Sequence, residues 1–222
     1  MKRGFTLSEI LITLGIIGII TAVTIPSLMT NFQKKSYEVG IKKAFNTVNT
    51  AVGSYMATEG IDDLANANFI GRGSSQQEEL IKFVNKYFKV VRTCNNGFED
   101  CFSEKMYSLD HSTSVKMSNL ENRCQFGAVL ADGVAMCFNP VATRPAANNT
   151  VSPTAMSIDI DINGITEPNT AGRDIFSLVV DCDGVTRPAD PSAKLPLSAD
   201  TKKKAEPLDI GVIFNSGWEM KY

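Results

Sequence analysis

Lys2-Arg3-Gly4-Phe5-Thr6-Leu7-Ser8-Glu9, followed by Ile10-Leu11-Ile12-Thr13-Leu14-Gly15-Ile16-Ile17-Gly18-Ile19-Ile20-Thr21-Ala22-Val23-Thr24-Ile25-Pro26, decides how the rest of the chain is read. No residue from Ile10 to Gln33 is charged. At about 1.5 Å per residue the run from Phe5 to Ile25 makes a helix about 30 Å long, enough to cross the hydrocarbon core of a bilayer. Lys2 and Arg3 place its start on the cytoplasmic side. A secretory signal peptide has the same basic start and apolar middle, but needs small residues at A-x-A spacing after the apolar core. Here that boundary is Ala22-Val23-Thr24-Ile25-Pro26-Ser27, which serves poorly. A plain membrane anchor leaves Glu9 without a purpose, because a carboxylate inside an apolar membrane helix is costly unless something neutralises it.

With these residues the chain resembles the type IV pilin family, which includes the pseudopilins of type II secretion systems. Gly4 followed by Phe5-Thr6-Leu7-Ser8-Glu9 and a long apolar run is similar to that family's processing site. The resemblance implies cleavage by a prepilin peptidase between Gly4 and Phe5 and methylation of the new amino terminus at Phe5. It implies assembly roles for Thr6, Glu9 and Pro26, with Glu9 pairing with the terminal amine of a neighbouring subunit. Electrostatics agrees, since an ammonium from another chain is one of few partners that offset a carboxylate in lipid. The resemblance also implies a helix able to stretch between Gly18 and Pro26; close helix packing is the other reading of these glycines.

The chain has 222 residues, which leaves room for one globular domain after the helix. With 22 Lys and Arg against 24 Asp and Glu, no global field argues for nucleic acid. Five cysteines, Cys94, Cys101, Cys124, Cys137 and Cys182, all follow the apolar segment, on the extracytoplasmic, disulfide-permissive side of that topology. There is no C-x-x-C pair and His111 is the lone histidine, so a zinc site is improbable. Cys94 and Cys101 bracket a turn-rich loop and are the first candidate pair. Cys124 and Cys137 flank a hairpin signal and are the second, which leaves Cys182 over as a buried, reduced thiol.

Pro26 removes a backbone hydrogen bond and is expected to kink or loosen the helix, which then resumes. Ile41, Ala44, Phe45, Val48, Ala51, Val52, Tyr55 and Met56 follow helical spacing, and Gly60 is a fitting stop. Residues 61–75 read as loop. Ser75-Gln76-Gln77-Glu78 has the form of a capping box ahead of a second helix reaching about Val90, with Leu80, Ile81, Val84, Tyr87 and Phe88 on its apolar face. Cys124 to Leu130 and Val134 to Phe138 surround the turn Ala131-Asp132-Gly133 and read as a hairpin. Pro140 to Pro153 reads as a surface loop. Met156 to Ile162 alternates as a strand with one buried face, and Asp174 to Asp181 is a further strand. Pro188 to Pro207 is a polar excursion, and Ile210 to Phe214 with Gly217 to Tyr222 read as the last strand or pair.

The expected architecture is α+β and pilin-like: a long N-terminal helix, transmembrane and then amphipathic, packed on an antiparallel sheet of four or five strands with an extra helix and loops. It divides into a leader at 1–4, a transmembrane and assembly helix at 5–26, its amphipathic continuation at 27–59, and an extracytoplasmic globular domain at 60–222.

Asp159-Ile160-Asp161-Ile162-Asn163-Gly164 copies the first half of an EF-hand calcium loop, but position 12 falls on Thr170, which cannot supply the bidentate carboxylate. Together with Pro168-Asn169 and Gly172-Arg173-Asp174 it is similar to a segment of many pseudopilin-like proteins, some of which bind calcium in their C-terminal loops. A structural Ca²⁺ on Asp159, Asp161, Asn163 and Asp174 is one reading. The other is a strand with Asp159 and Asp161 on its solvent face and Asp174 capping the following loop. No Walker A, G-x-S-x-G or H-E-x-x-H motif occurs. His111 reads as a loop residue, Lys202-Lys203-Lys204 as a solvated loop, and Trp218 as a sheet-core aromatic.

The expectation is a structural filament subunit without catalytic activity, serving a pseudopilus of a type II secretion system or a type IV pilus. Its partners are a prepilin peptidase, other pilin-like subunits, an inner-membrane assembly platform and the lipid bilayer, with nucleic acid unexpected. It sits in the bacterial inner membrane as a single pass, amino terminus in the cytoplasm and globular domain in the periplasm or outside, before joining a filament. The reading from a different class is a membrane-anchored binding protein or enzyme that does not polymerise.

Overall fold

The computed structural model describes residues 6–71, 73–94, 97–140 and 153–222. Gly4 and Phe5, the expected processing residues, lie outside the described residues, as does 141–152 of the expected surface loop. Helix α1 (Leu7–Glu59) is assigned without a break through Pro26. It contributes to two compact units, one ending at Ser36 and one spanning Tyr37–Tyr222, so the boundary falls inside the helix and not at its end. In the first unit every described residue up to Gln33 is exposed, and the large apolar side chains from Leu7 to Phe32 stand 44–77% exposed. That stretch is long and apolar enough to cross a membrane.

In the second unit the same helix behaves differently. Ile41, Val48 and Val52 are fully buried, and burying each such side chain is worth about 1.5–3 kcal/mol. α1 ends where Gly60 takes a positive φ of 66° and the Ile61 N–H donates to the Met56 carbonyl at 3.1 Å. α2 (Ser74–Tyr87) buries Leu80, Phe83 and Val84. The Phe83 ring stacks on Phe69 at 4.7 Å and lies edge-on to Tyr55 at 5.1 Å. The capping box expected at Ser75 does not form: Gly73 is the N-cap, with no side-chain hydrogen bond, and Ser75 lies inside the helix.

Among the described residues nine strands follow: β1 (Val90–Thr93), β2 (Lys105–Tyr107), β3 (Ser114–Lys116), β4 (Phe126–Leu130), β5 (Ala135–Asn139), β6 (Thr154–Asp161), β7 (Ile175–Asp181), β8 (Thr186–Arg187) and β9 (Leu208–Asp209). β2 and β3 form a separate ribbon. The others make one sheet in the order β1-β4-β5-β6-β7-β8, antiparallel throughout, with β9 joining β7 in parallel. That is more than the four or five strands expected, because β8 and β9 are two-residue pairings below the length at which alternation is legible. Ile210 to Phe214 does not form the expected strand: α4 (Gly211–Phe214) is a short helix, as is α3 (Ala199–Lys203).

The sheet is covered on both faces. Met136, Phe138, Met156, Ile158, Ile160, Phe176, Leu178 and Val180 form one core with α1 and α2. Ala135, Cys137 and Ile175 form a second core with Phe98, Phe102, Met106 and Met117. Two disulfides, Cys94–Cys101 and Cys124–Cys137, tie this second layer down, and Cys182 is buried outside both of them. The segment Phe98 to Arg123 therefore turns what alternation suggests is a one-sided sheet into a middle layer.

Candidate functional site

Thr6 and Glu9 build a capping box at the start of α1. The Thr6 N–H and hydroxyl both donate to Glu9 Oε2 at 2.8 Å, and the Glu9 N–H donates to Thr6 Oγ1 at 3.3 Å. This is the S/T-x-x-E signature, present in Thr6-Leu7-Ser8-Glu9, and it gives Glu9 a local role that the reading as an assembly acid alone passes over. Glu9 remains the only charged residue from Leu7 to Gln33. The hydroxyls of Thr13, Thr24 and Thr30 donate to the carbonyls of Ile10, Ile20 and Pro26, so these polar groups are satisfied within the helix, as an apolar surround requires. One acid on an exposed apolar rod is the site's chemistry.

The Asp159–Asp174 segment follows the second reading at Asp174, which caps its loop through backbone N–H groups, and departs from it at Asp159 and Asp161. Asp159 and Asp161 are not on a solvent face: their side of β6 carries the second core, and they are 3% and 0% exposed. Arg123, at the end of the 3-10 helix Met117–Arg123, takes both Asp159 oxygens through Nε and Nη2 at 3.1 Å each. Cys124, the next residue, is bonded to Cys137, which lies across the ladder from Asp159 and so holds Arg123 above it. Burial pushes the Asp159 carboxyl up from its ordinary value, and Arg123 pulls it back down.

Asp174 accepts the Asn169 N–H at 2.7 Å and the Thr170 N–H at 2.6 Å, closing the turn before β7. Its carboxyl is pushed up to about 6, chiefly by burial against the counteracting backbone donors. Asp161 accepts the Asn163 N–H through Oδ1 at 3.1 Å, while burial, and then Asp174, push its carboxyl well above the carboxylate range. Asp161 Oδ2 and Asn163 Oδ1 are buried without a hydrogen-bond partner. Against a calcium ion's requirement of about six to eight oxygens, these two stand alone. Asp159 is committed to Arg123, Asp174 to its turn, and among the described residues no group of three acids, histidines or cysteines converges as a metal site. The residues present do not fit a protein-made calcium cage.

Of the remaining expectations, His111 has φ 58° and stacks on Tyr107 at 5.7 Å in the loop after β2. The Lys202 carbonyl accepts the Asp110 N–H at 3.2 Å and the Lys203 carbonyl accepts the Thr113 hydroxyl, so this basic run braces that loop. Trp218 is not a sheet-core residue. It is half-buried against α1, edge-on to Phe45 at 5.2 Å.

The fold and the N-terminal site together define an α+β, pilin-like chain with a long apolar helix at its start. Residues 1–25 match the family model described as the prokaryotic N-terminal methylation motif, the signature of type IV pilins and pseudopilins. No curated protein and no solved structure matches the chain.

Proposed function

We propose that this chain is a structural subunit: a prepilin-like protein cleaved between Gly4 and Phe5 by a prepilin peptidase, methylated at Phe5, and assembled through α1 into a pseudopilus or type IV pilus. The observation that carries this reading is the pairing of an entirely exposed apolar helix, Leu7 to Phe32, with one acid at its start inside a methylation motif. In the bilayer that surface is solvated by lipid; in a filament it is buried against the same surface of other subunits. Packing and the pairing of buried polar groups drive such a transfer, since lipid tails are as apolar as the helix itself.

Glu9 supplies the polar pairing. In the single subunit its charge rests on the Thr6 N–H and hydroxyl. Cleavage creates a new ammonium at Phe5, and the ammonium of one subunit against the Glu9 carboxylate of the next fixes their axial register. The globular unit, with its two-faced sheet and two disulfides, is the displayed part. This work is done by assembly on an inner-membrane platform and not by catalysis.

Co-expression of the full chain with a prepilin peptidase in a bacterial host tests the reading. The expected product begins at methylated Phe5 in wild type and keeps Met1 to Gly4 in a Gly4→Leu variant. An intact leader in the wild-type chain would revive the anchored binding protein or enzyme.

A further inference from the structure

The Asp159–Asp174 segment, which filament assembly leaves without a task, is where the second unit grips its own part of α1. Gly40 of α1 lies against Ile162: a Cβ at residue 40 would come within 2.6 Å of Ile162 Cγ2, so Ile162 would have to shift to admit it. Burial, and then Asp174, push the phenol of Tyr37, one turn earlier, above its ordinary value. From the far end of the chain, the Met220 N–H donates to Glu38 Oε1 at 2.8 Å, with Glu38 5% and Met220 2% exposed. The Tyr222 hydroxyl donates to the Gly172 carbonyl at 2.6 Å, and burial, then Glu38, hold its phenol above the usual range. Gly172 has φ 77°, and a Cβ there would meet Leu208 at 2.6 Å, so the carbonyl is presented by a turn that only glycine fits. Gly217 and Trp218, at φ 73° and 67°, bend the tail so that Trp218 closes on Phe45 while Met220 and Tyr222 reach Glu38 and Gly172.

We propose that these three pieces form a clasp. The β6–β7 connection is its base, α1 from Tyr37 to Phe45 is the element held, and Gly217–Tyr222 is the strap. The strap's contact with Glu38 spans 182 residues. The first turns of α1 in this unit are therefore held by two kinds of contact, the packing of Gly40 and Ile41 on the sheet side and the long-range bonds of the strap. Farther along, Val48, Ala51 and Val52 are buried in the core that the sheet and α2 form with α1. The clasp thus makes the hold on α1 from Tyr37 to Phe45 depend on the strap.

Hydrogen exchange on the full chain in detergent micelles, before any assembly, tests the clasp separately from the filament reading. In Glu38→Ala and Tyr222→Phe, each removing one strap bond, the amides of Ile41 to Phe45 are expected to exchange about tenfold faster than in wild type, while Val48 to Tyr55 and strands β5 and β6 keep their protection. Glu38→Gln, which keeps an acceptor for Met220, should stay near wild type. Unchanged exchange at Ile41 to Phe45 in both variants overturns the clasp. So does equal loss of protection across the sheet in Tyr222→Phe, which removes one hydroxyl and would then report a general weakening.

Discussion

Glu9→Ala is expected to leave cleavage after Gly4 intact and to lower filament incorporation about a hundredfold. Removing one member of a charge pair in a low-dielectric surround costs about 3 kcal/mol or more, because the partner is left buried and unpaired. At about 1.4 kcal/mol per factor of ten that is roughly two orders of magnitude in the assembly equilibrium. The capping box complicates the alanine variant, since losing a cap costs about 1 kcal/mol of helix stability by itself. Glu9→Gln separates the two effects. The amide oxygen still accepts from Thr6 but carries no charge, so Gln is expected to fail as Ala does. The check is the ratio of filament to membrane protein after shearing, with cleavage read on the same samples. Wild-type incorporation of Glu9→Gln would show that capping, and not pairing, is the role of this acid.

The second large effect is on folding. Arg123→Ala leaves Asp159 at 3% exposure with neither oxygen paired to a cation, at a cost of about 3 kcal/mol. The lower end of the range for buried pairs applies, because the guanidinium is itself 39% exposed and water can partly replace it. The pH dependence has a definite sign. Without Arg123 the already raised Asp159 carboxyl rises further, so the folded variant holds a proton that the unfolded chain releases near its ordinary value of 3.8. Stability of the variant is then lost as pH rises through the raised value and recovered as pH falls toward 3.8, so the gap to wild type narrows on acidification. Urea unfolding followed by Trp218, the single tryptophan, reads both quantities. A loss below about 1 kcal/mol at neutral pH, or a gap that widens in acid, contradicts this account of the pair.

What the sequence makes legible is local. The apolar run, the stop at Gly60 and the hairpin around Asp132-Gly133 each rest on residues within a few positions of one another, and each is in place. Alternation in β6 correctly puts Ile158 and Ile160 on one face and Asp159 and Asp161 on the other. It carries no information on whether the second face is covered. That is decided by Phe98, Phe102, Met106, Met117 and Arg123, from a stretch with no clear period held by two disulfides. Asp159 and Asp161 therefore look solvated in the sequence when they are buried.

Caps fail in both directions: Ser75-x-x-Glu78 has the pattern without the geometry, and Thr6-x-x-Glu9 has both. Ile210 to Phe214 is apolar and β-branched enough for a strand, but the Gly211 N–H bond to Asp209 and the helical turn after Ile210 override that preference. The strap's contacts to Glu38 and Gly172 join residues 182 and 50 positions apart, beyond the reach of any periodicity.

The central claim is that α1 is an assembly helix with a processed, methylated start. Mass spectrometry on filaments sheared from native cells, beside the remaining envelope, tests it most directly by searching for a peptide that begins at methylated Phe5. That peptide is expected, abundant in the sheared fraction for a type IV pilus and confined to the envelope for a pseudopilus. An intact Met1 to Gly4 leader in both fractions would contradict it.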